Sequence, residues 1–308
     1  MNIFLYFATV FIWGSTWLGI HYQLGNVDPA ASLFYRFMIA ALIMVFVSLF
    51  RRENLVYTAR QNVLFASQGV FLFSLNYWFI YQGTTVLDSG LVALLFSTIA
   101  IMNIINGKFI LRKQIDFVSL LGAVIGLIGI GVVFIPGINK LSNIHELGAV
   151  ALCLIGTYLS SLGNIMSGIN QSKGVSVIAS NTFSMIYAAL LLGVFCVAKG
   201  TQFNFDYSFT YIGSLFYLAI FGSVLAFYFY LTLLGRIGAD RAVYAMLVFP
   251  LVALILSSVF EGLNLSPNIV IGFSIVMAGN FLILLKPINV DALYSRLMRC
   301  KKTDSHEA

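Results

Sequence analysis

One arginine lies inside an otherwise uncharged, apolar stretch near the start of the chain. Arg36 is the only charged residue between Asp28 and Arg51. An arginine in the hydrocarbon of a bilayer costs at least about 2.5 to 3.5 kcal/mol, so it usually faces protein or water and has a partner. Two interpretations follow. The guanidinium binds a substrate carboxylate or steadies an outward gate, or it extends to the headgroups or pairs with Asp28 or Asp88.

Aromatic rings and amides recur within the apolar segments and are suited to lining a polar cavity. Rings stack on an organic solute, and amides form hydrogen bonds with it. Each residue taken alone is also explained by interhelical packing or by the aromatic belt of the membrane interface. Together with Arg36, the predicted substrate-binding residues are Trp13, Trp17, Asn76, Tyr77, Tyr81, Asn103, Tyr158, Asn164, Tyr228 and Tyr244.

The sequence carries no pattern typical of catalysis or of metal binding. His21, His145 and His306 lie outside the apolar segments and do not form an HExxH-type spacing. The three cysteines have the spacing of neither a disulfide framework nor a metal site. We therefore expect no catalytic residue, no metal and no cofactor, and the protein is not expected to be an enzyme.

The carboxylates lie at the ends of the apolar segments rather than at their middle. An antiporter driven by protons or sodium normally places Asp or Glu near mid-membrane, so this distribution favours a uniporter or exchanger. Asp88 ends its segment on the outer side and Asp240 on the inner side. Pro250 has no N–H, so it is expected to kink its helix. We predict that Asp88, Asp240 and Pro250 act in gating.

Charged residues are spaced at intervals that match the thickness of a bilayer. From Arg60 onward, eight uncharged runs are each long enough to supply the roughly 20 residues that a ~30 Å hydrocarbon core requires. With the segments at about 3–21 and 30–50, they give ten predicted spans. The runs lack the period-two alternation of a membrane barrel. With 60% hydrophobic and 9% charged residues, the composition also excludes an ordinary soluble domain. The predicted fold class is an all-α integral membrane protein with ten transmembrane helices.

The net charge is +6, and the distribution of its basic residues among the loops indicates the orientation of the chain in the membrane. If the N-terminus is cytoplasmic, the outer loops hold only Lys140 and Lys199. Apart from Arg36, every other Lys and Arg then falls in an inner loop or tail, as the positive-inside rule requires. The first span lacks a basic leader and a cleavage site, so it is expected to be retained. We predict a multi-pass protein of the cell (inner) membrane with both termini cytoplasmic.

The two halves of the chain match at a nearly constant offset. Asp88 matches Asp240 at an offset of 152, and Gly129 matches Gly279 at 150. The glycines of spans 5 and 10 predict a tight contact between these two helices rather than a transport path. Five spans per copy is an odd number, so the second copy enters the membrane from the opposite side. The sequence therefore predicts two inverted five-helix repeats, the recurring architecture of alternating-access transporters.

Several short motifs follow one another in a definite order. They are WGSTW (Trp13 to Trp17), Tyr35-Arg36, LDSGLVALLFS in span 4, the glycines Gly122, Gly126 and Gly129 in span 5, and Pro250 in span 9. Their order and spacing, from about residue 5 to 286, resemble the EamA family of the drug/metabolite transporter (DMT) superfamily. The resemblance implies two five-helix repeats around a central cavity that usually exports amino acids or other small polar metabolites.

The chain departs from this family at one place. The family often has a glutamate near the end of the fourth and ninth spans. Glu261 supplies it in span 9, whereas Phe109 occupies the matching position in the first half. A role that requires both glutamates is therefore not expected.

These patterns predict the organisation and the function together. Residues 1–140 form a first EamA-like repeat (spans 1–5), 141–287 a second (spans 6–10), and 288–308 a cytoplasmic tail. The expected activity is export of amino acids or similar metabolites by alternating access. Its partners are a carboxylate-bearing small molecule and the lipid bilayer, with no nucleic acid, and a monomer is a plausible state. Another substrate class, a nucleotide sugar or a drug-like cation, and a non-transport membrane role stay open as alternatives.

Overall fold

The computed structural model describes residues 2–112, 117–138, 144–230 and 245–284, and within these ranges the regular structure is helical and contains no strand. In chain order the helices are α1 (Asn2–His21), α2 (Pro29–Phe50), α3 (Ala59–Thr84), α4 (Ser89–Leu111), α5 (Phe117–Ile138), α6 (Ile144–Ser172), α7 (Val177–Lys199), α8 (Phe209–Tyr230), α9 (Ala245–Phe260) and α10 (Pro267–Leu284).

Seven of these helices are long and apolar enough to cross a membrane, namely α1 to α4 and α6 to α8. The other three contain shorter apolar stretches, Leu120–Phe134, Val248–Phe260 and Pro267–Leu282. A helix satisfies its own backbone hydrogen bonds, which makes it the form that such segments adopt in lipid. The prediction of an all-α integral membrane protein is therefore confirmed for the described residues.

Helices α2 and α7 pack against each other and bury matching positions. Each begins at a side-chain cap, because Asp28 accepts a hydrogen bond from the first turn of α2 and Ser176 from that of α7. The caps lie 148 residues apart. When the helices are aligned on the caps, buried Arg36 coincides with buried Ser184, and most other buried positions coincide as well.

Two helices contain a wide, π-helical turn at related places. In α3 the turn spans Gly69–Ser74, and in α8 it spans Leu218–Leu225. The first packs against α7 and the second against α2. Such single-turn insertions widen the helix locally and are frequent at functional sites.

Helices α5 and α10 approach so closely that their backbones touch. A Cβ added at Gly129 would lie 2.7 Å from the Gly272 carbonyl oxygen, and one at Gly279 would lie 2.5 Å from the Gly122 carbonyl oxygen. The prediction that these glycines form a tight helix contact is confirmed. Small residues at such contacts allow close van der Waals packing in lipid.

Helix α4 is interrupted at Ser97 and Thr98, whereas α9 remains helical through Pro250. Thr98 and Pro250 correspond at the offset of 152, so both halves carry a disturbance at the same place. In α4 the Asn280 amide of α10 donates to the Ser97 carbonyl at 3.3 Å. The matching positions thus disturb their helices by different means, a turn in α4 and a missing N–H in α9.

Contacts between loops and helix termini define two ends of the bundle. At the first, which we call the Asp88 end, Asp28 pairs with Lys199 at 2.8 Å. At the second, the Arg51 end, Arg51 contacts Tyr228 and Glu53 accepts a hydrogen bond from Ser176.

Candidate functional site

The side chain of Arg36 lies two turns into α2 and is 1% exposed. Its Nε donates to the Ser223 hydroxyl at 3.2 Å, and its guanidinium carbon lies 4.4 Å from the centre of the Tyr77 ring. Its Nη1 is buried and makes no hydrogen bond within the described structure. Arg36 therefore brings a full positive charge into the bundle and leaves one donor group free.

The interpretation of Arg36 as a headgroup-seeking residue is wrong, because a side chain with 1% exposure does not reach the bundle surface. The pairing with Asp28 or Asp88 is wrong as well, since Arg36 forms an ion pair with neither. Asp28 caps α2 with one carboxylate oxygen and binds Lys199 with the other. Within the described residues, the only ion pair is the one between Lys199 and Asp28. Arg36 therefore has no carboxylate partner among the described residues.

Tyr81 closes the site towards the Asp88 end. Its ring is fully buried, its hydroxyl donates to the Gln23 side chain, and its electrostatic interaction with Arg36 is favourable. The amide nitrogen of Gln23 is buried without a hydrogen-bond partner among the described residues. The site therefore offers two unused donors, one on Arg36 and one on Gln23.

Trp13 and Tyr77 are joined by a chain of aromatic contacts. Trp13 packs on Phe227 with ring centres 5.5 Å apart, Phe227 on Phe73 at 5.5 Å, Phe73 on Phe37 at 5.8 Å, and Phe37 on Tyr77 at 5.3 Å. These contacts join α1, α8, α3 and α2 around the guanidinium.

Trp17 has separate ring neighbours. It packs on Phe96 of α4 at 5.1 Å and on Phe249 of α9 at 6.2 Å. Phe249 directly precedes Pro250, so Trp17 lies beside the proline predicted to act in gating.

The other predicted binding residues do not share one place. Asn76 donates to Ser160 of α6 at 2.9 Å, while the Oδ1 atoms of Asn76 and Asn103 are buried without a partner among the described residues. Asn164 is half-buried. Tyr158 is 42% exposed and lies on the same face of α6 as Ile155, which is also exposed. Tyr158 therefore lies on the outer surface of the bundle.

Two further predicted residues fall elsewhere. Tyr228 is 43% exposed and its hydroxyl accepts a hydrogen bond from Arg51 at 3.2 Å, which places it at the Arg51 end rather than beside Arg36. Tyr244 lies outside the described residues, as do Asp240 and the tail at 288–308.

The sequence interpretation missed Ser223 and Gln23. A signal for Ser223 was available, because Ser74 precedes it by 149 residues and both are serines in apolar stretches. No pattern marks Gln23, which follows α1 and meets Tyr81 only because α3 packs against α1.

At the Asp88 end, a glutamate of one half caps a helix of the other. Glu261 accepts hydrogen bonds from the Ser89 backbone N–H at 2.8 Å, from the Ser257 hydroxyl at 2.9 Å and from the Ser89 hydroxyl. Because Ser89 begins α4, this carboxylate lies at the positive end of the helix dipole. Asp88 itself makes no capping hydrogen bond.

The pKa of Asp88 is raised above its ordinary value of 3.8. Burial is the main cause, and the negative charge of Glu261 adds to it, whereas His21 opposes it. Asp88, Glu261 and His21 therefore form one electrostatic group at this end. Among the described residues, no cluster of His, Cys, Asp and Glu is suited to holding a metal ion.

An apolar groove of about 620 Å³ runs between α2 and α7 on the outside of the bundle. Phe34, Met38, Leu190 and Val194 line it, and the last three are exposed. A surface of this composition suits lipid chains rather than a polar solute.

Comparison with known proteins gives one family. The sequence model of the EamA-like transporter family matches residues 1–135 and 147–285. An "Uncharacterized transporter" of Buchnera aphidicola subsp. Schizaphis graminum is 25% identical over 82% of this chain and 83% of its own length. Protein PagO of Salmonella typhimurium is 24% identical over 91% of each chain. The "Uncharacterized inner membrane transporter YedA" of Escherichia coli K12 is 26% identical over 92% of each.

A solved crystal structure has a related fold. It superposes with a TM-score of 0.66 over 92% of this chain and 96% of the other, at 15% sequence identity. At that identity the likeness concerns the fold alone.

Proposed function

This chain belongs to the EamA-like transporter family, and we propose that it exports a small carboxylate-bearing metabolite, with amino acids as the leading class, by alternating access. It is a multi-pass membrane protein, and the relatives from Buchnera aphidicola and Escherichia coli are named transporters. The inner membrane is the proposed location, with both termini cytoplasmic. The positive-inside distribution supports that orientation, and YedA is named an inner membrane transporter. A monomer is the proposed functional unit.

The unpaired guanidinium of Arg36 is the observation that carries the substrate class. An uncompensated buried charge destabilises a protein, so it is retained where a ligand neutralises it. A carboxylate binds the two terminal nitrogens of a guanidinium with two parallel hydrogen bonds. Tyr77 and the neighbouring rings supply an apolar face for the remainder of the solute.

Alternating access requires two halves that can exchange roles, and several features support an inverted repeat of five and five helices. The family matches two segments of similar length. The π-helical turn of α3 packs on α7, and that of α8 packs on α2. Helix α1 packs on α9 as α6 packs on α4. A two-fold relation that exchanges α1 to α5 with α6 to α10 accounts for each of these pairs.

Gating is proposed to occur at the two ends of the bundle. At the Asp88 end, the bonds between Glu261 and Ser89 join α9 to α4 and hold that end closed, with Asp88 beside them. Asp240 is the proposed counterpart at the other end, and Pro250 the proposed flexible point of α9, where Phe249 meets Trp17.

The test is efflux of labelled solute from proteoliposomes loaded with the proteinogenic amino acids, one at a time. We expect Arg36→Ala to abolish the flux of the solute that the native protein exports. Arg36→Lys should retain part of it, because a lysine keeps the charge but lacks the planar pair of donors.

Arg51→Ala is the matched control. Arg51 also contacts a tyrosine, Tyr228, with 5.9 Å between its guanidinium carbon and the ring centre, but that pair lies at the exposed Arg51 end. Its removal should leave the flux unchanged. Equal flux in the native protein and in folded Arg36→Ala would refute the carboxylate site, and no flux of any amino acid in folded, correctly oriented protein would refute the substrate class.

A further inference from the structure

We infer that Ser223 is a positioning residue for the substrate. From the π-helical turn of α8, Ser223 fixes the orientation of the Arg36 guanidinium. The inference rests on the proposed function, because it assumes that Arg36 binds the carboxylate of the solute. It adds a residue outside the predicted site and a specific binding geometry.

The Ser223 hydroxyl acts both as a hydrogen-bond donor and as an acceptor. It donates to the Leu218 carbonyl at 3.0 Å and accepts from the Arg36 Nε at 3.2 Å. Leu218 lies five residues earlier, at the start of the π-helical turn. Because the hydroxyl hydrogen points to Leu218, its lone pairs are directed at Arg36. The side chain is 1% exposed, so water does not compete for either bond.

The residue before Ser223 makes the close approach possible. A Cβ at Gly222 would lie 2.8 Å from the Thr16 methyl carbon and 3.6 Å from the Arg36 Nη2. Glycine at this position lets α8 approach both α1 and α2. The guanidinium is then held from two directions, by Ser223 at Nε and by the Tyr77 ring on its face.

This arrangement selects which edge of the guanidinium meets the substrate. Since Nε is bonded to Ser223, the edge formed by Nε and Nη2 is not free for a carboxylate. The edge formed by the two terminal nitrogens remains, and its Nη1 has no partner within the described structure. The carboxylate is therefore expected to bind end-on, in line with the guanidinium axis.

The chain provides its own matched control for this role. Ser74 occupies the equivalent place in the π-helical turn of α3 and donates to the Gly69 carbonyl five residues earlier, at 2.8 Å. It is fully buried, as Ser223 is. The residue of α7 that corresponds to Arg36 is Ser184, which carries no charge. Ser74 thus shares the structural bond of Ser223 but has no arginine to position.

The experiment measures the KM and maximal rate of efflux for the amino acid whose flux depends most strongly on Arg36. We expect Ser223→Ala to raise KM about tenfold, the size of effect for losing one hydrogen bond to a charged group, with little change in maximal rate. Ser74→Ala should leave KM unchanged, and Ser223→Thr, which keeps the hydroxyl, should restore it. In the Arg36→Lys background, which lacks Nε, Ser223→Ala should have no further effect on KM.

The outcomes separate the two proposals. If Arg36→Lys changes KM while Ser223→Ala leaves it unchanged or lowers it, the positioning role is refuted and the carboxylate site stands. If Ser74→Ala raises KM equally, or if the effects of Ser223→Ala and Arg36→Lys simply add, the serine acts on packing alone and the inference is refuted. If no flux depends on Arg36, both proposals fail.

Discussion

The guanidinium of Arg36 is held by a hydroxyl and a ring face, and no carboxylate among the described residues pairs with it. A cation on an aromatic face is stabilised by about 0.5 to 2 kcal/mol, and a hydrogen bond to a charged group by about 1.5 to 3 kcal/mol. Those contributions offset part of the cost of burying the charge, and under the proposed function a bound carboxylate offsets the rest. A partly compensated charge of this kind allows binding that remains reversible.

The pKa values of Asp88 and Asp206 are shifted in opposite directions, so replacing each residue should change the stability in opposite directions. The folded state raises the pKa of Asp88, so it binds that proton more tightly than the unfolded state does. The stability from this carboxyl is complete at low pH and is lost as the pH rises through its raised pKa. We expect Asp88→Asn, which cannot ionise, to raise the thermal unfolding midpoint at pH 7 by a few degrees. The difference should close as the pH falls towards 3.8, the ordinary pKa of an aspartate.

Asp206 serves as the control, because hydrogen bonds from the Ser208 backbone and side chain and from Asn26 lower its pKa. Its contribution is present above the ordinary pKa and is lost as the pH falls through the lowered one. Asp206→Asn should therefore lower the midpoint at pH 7. Unfolding in detergent micelles from about pH 2 to pH 8 covers both transitions, and a pH-independent gain in Asp88→Asn would contradict the electrostatic explanation.

At the scale of single helices, the glycines of α5 and α10 and the wide turns of α3 and α8 perform different tasks. The glycines bring two backbones into contact, which fixes α5 against α10. The wide turns instead redirect serines towards carbonyls five residues away and, in α8, towards Arg36. Backbone contact thus lies in α5 and α10, and the hydrogen bonds of the redirected serines lie in α3 and α8.

Two glycines on the same helix test the packing role of α5. A Cβ at Gly129 would lie 2.7 Å from both the Gly272 carbonyl oxygen and the Val276 nitrogen, whereas a Cβ at Gly131 would meet nothing within 4 Å. Gly129→Ala should destabilise the protein by about 1 to 3 kcal/mol, the range for overpacking. Gly131→Ala should be neutral, or stabilising by up to about 1 kcal/mol, since alanine favours helix.

The midpoint of thermal unfolding in purified protein compares these two variants directly. Equal midpoints for Gly129→Ala and Gly131→Ala would show that the α5 and α10 backbones are not in contact in solution.

Over the whole molecule, the site around Arg36 is closed, since Arg36 and Tyr81 have almost no exposed surface. Under the proposed function, a solute reaches this site only if helices separate at one end. The hydrogen bonds of Glu261 join α9 to the start of α4 at the Asp88 end. Opening that end must break these bonds, so their strength sets part of the balance between the closed and open states.

A disulfide across this contact tests whether the Asp88 end must open. In a chain with Cys153, Cys196 and Cys300 replaced by alanine, Ser89→Cys and Glu261→Cys are introduced together. We expect oxidation to stop export from proteoliposomes and a reducing agent to restore it, because a covalent link prevents separation of the two helices. The single-cysteine variants should be insensitive to oxidant. Undiminished export by fully cross-linked protein would show that α4 and α9 need not separate at this end.

The sequence by itself determined that the chain is a bundle of apolar helices and that Arg36 requires a partner. Backbone groups cannot remain unpaired in lipid, so long uncharged stretches become helices whatever their neighbours are. The repeated glycines of α5 and α10 likewise indicated their close contact. These features follow from local composition and spacing, which do not depend on how the helices are arranged.

Only the tertiary structure decided which residues surround Arg36. Ser223 is 187 residues away from Arg36 in the chain, and their hydrogen bond depends on the rotation and depth of two packed helices. The same rotation placed Tyr77 on the guanidinium and left Tyr158 and Tyr228 exposed, although all three are tyrosines within apolar segments. Side chains on one helix point in all directions, so the helix neighbours select the few that share a site, and no local pattern carries that information.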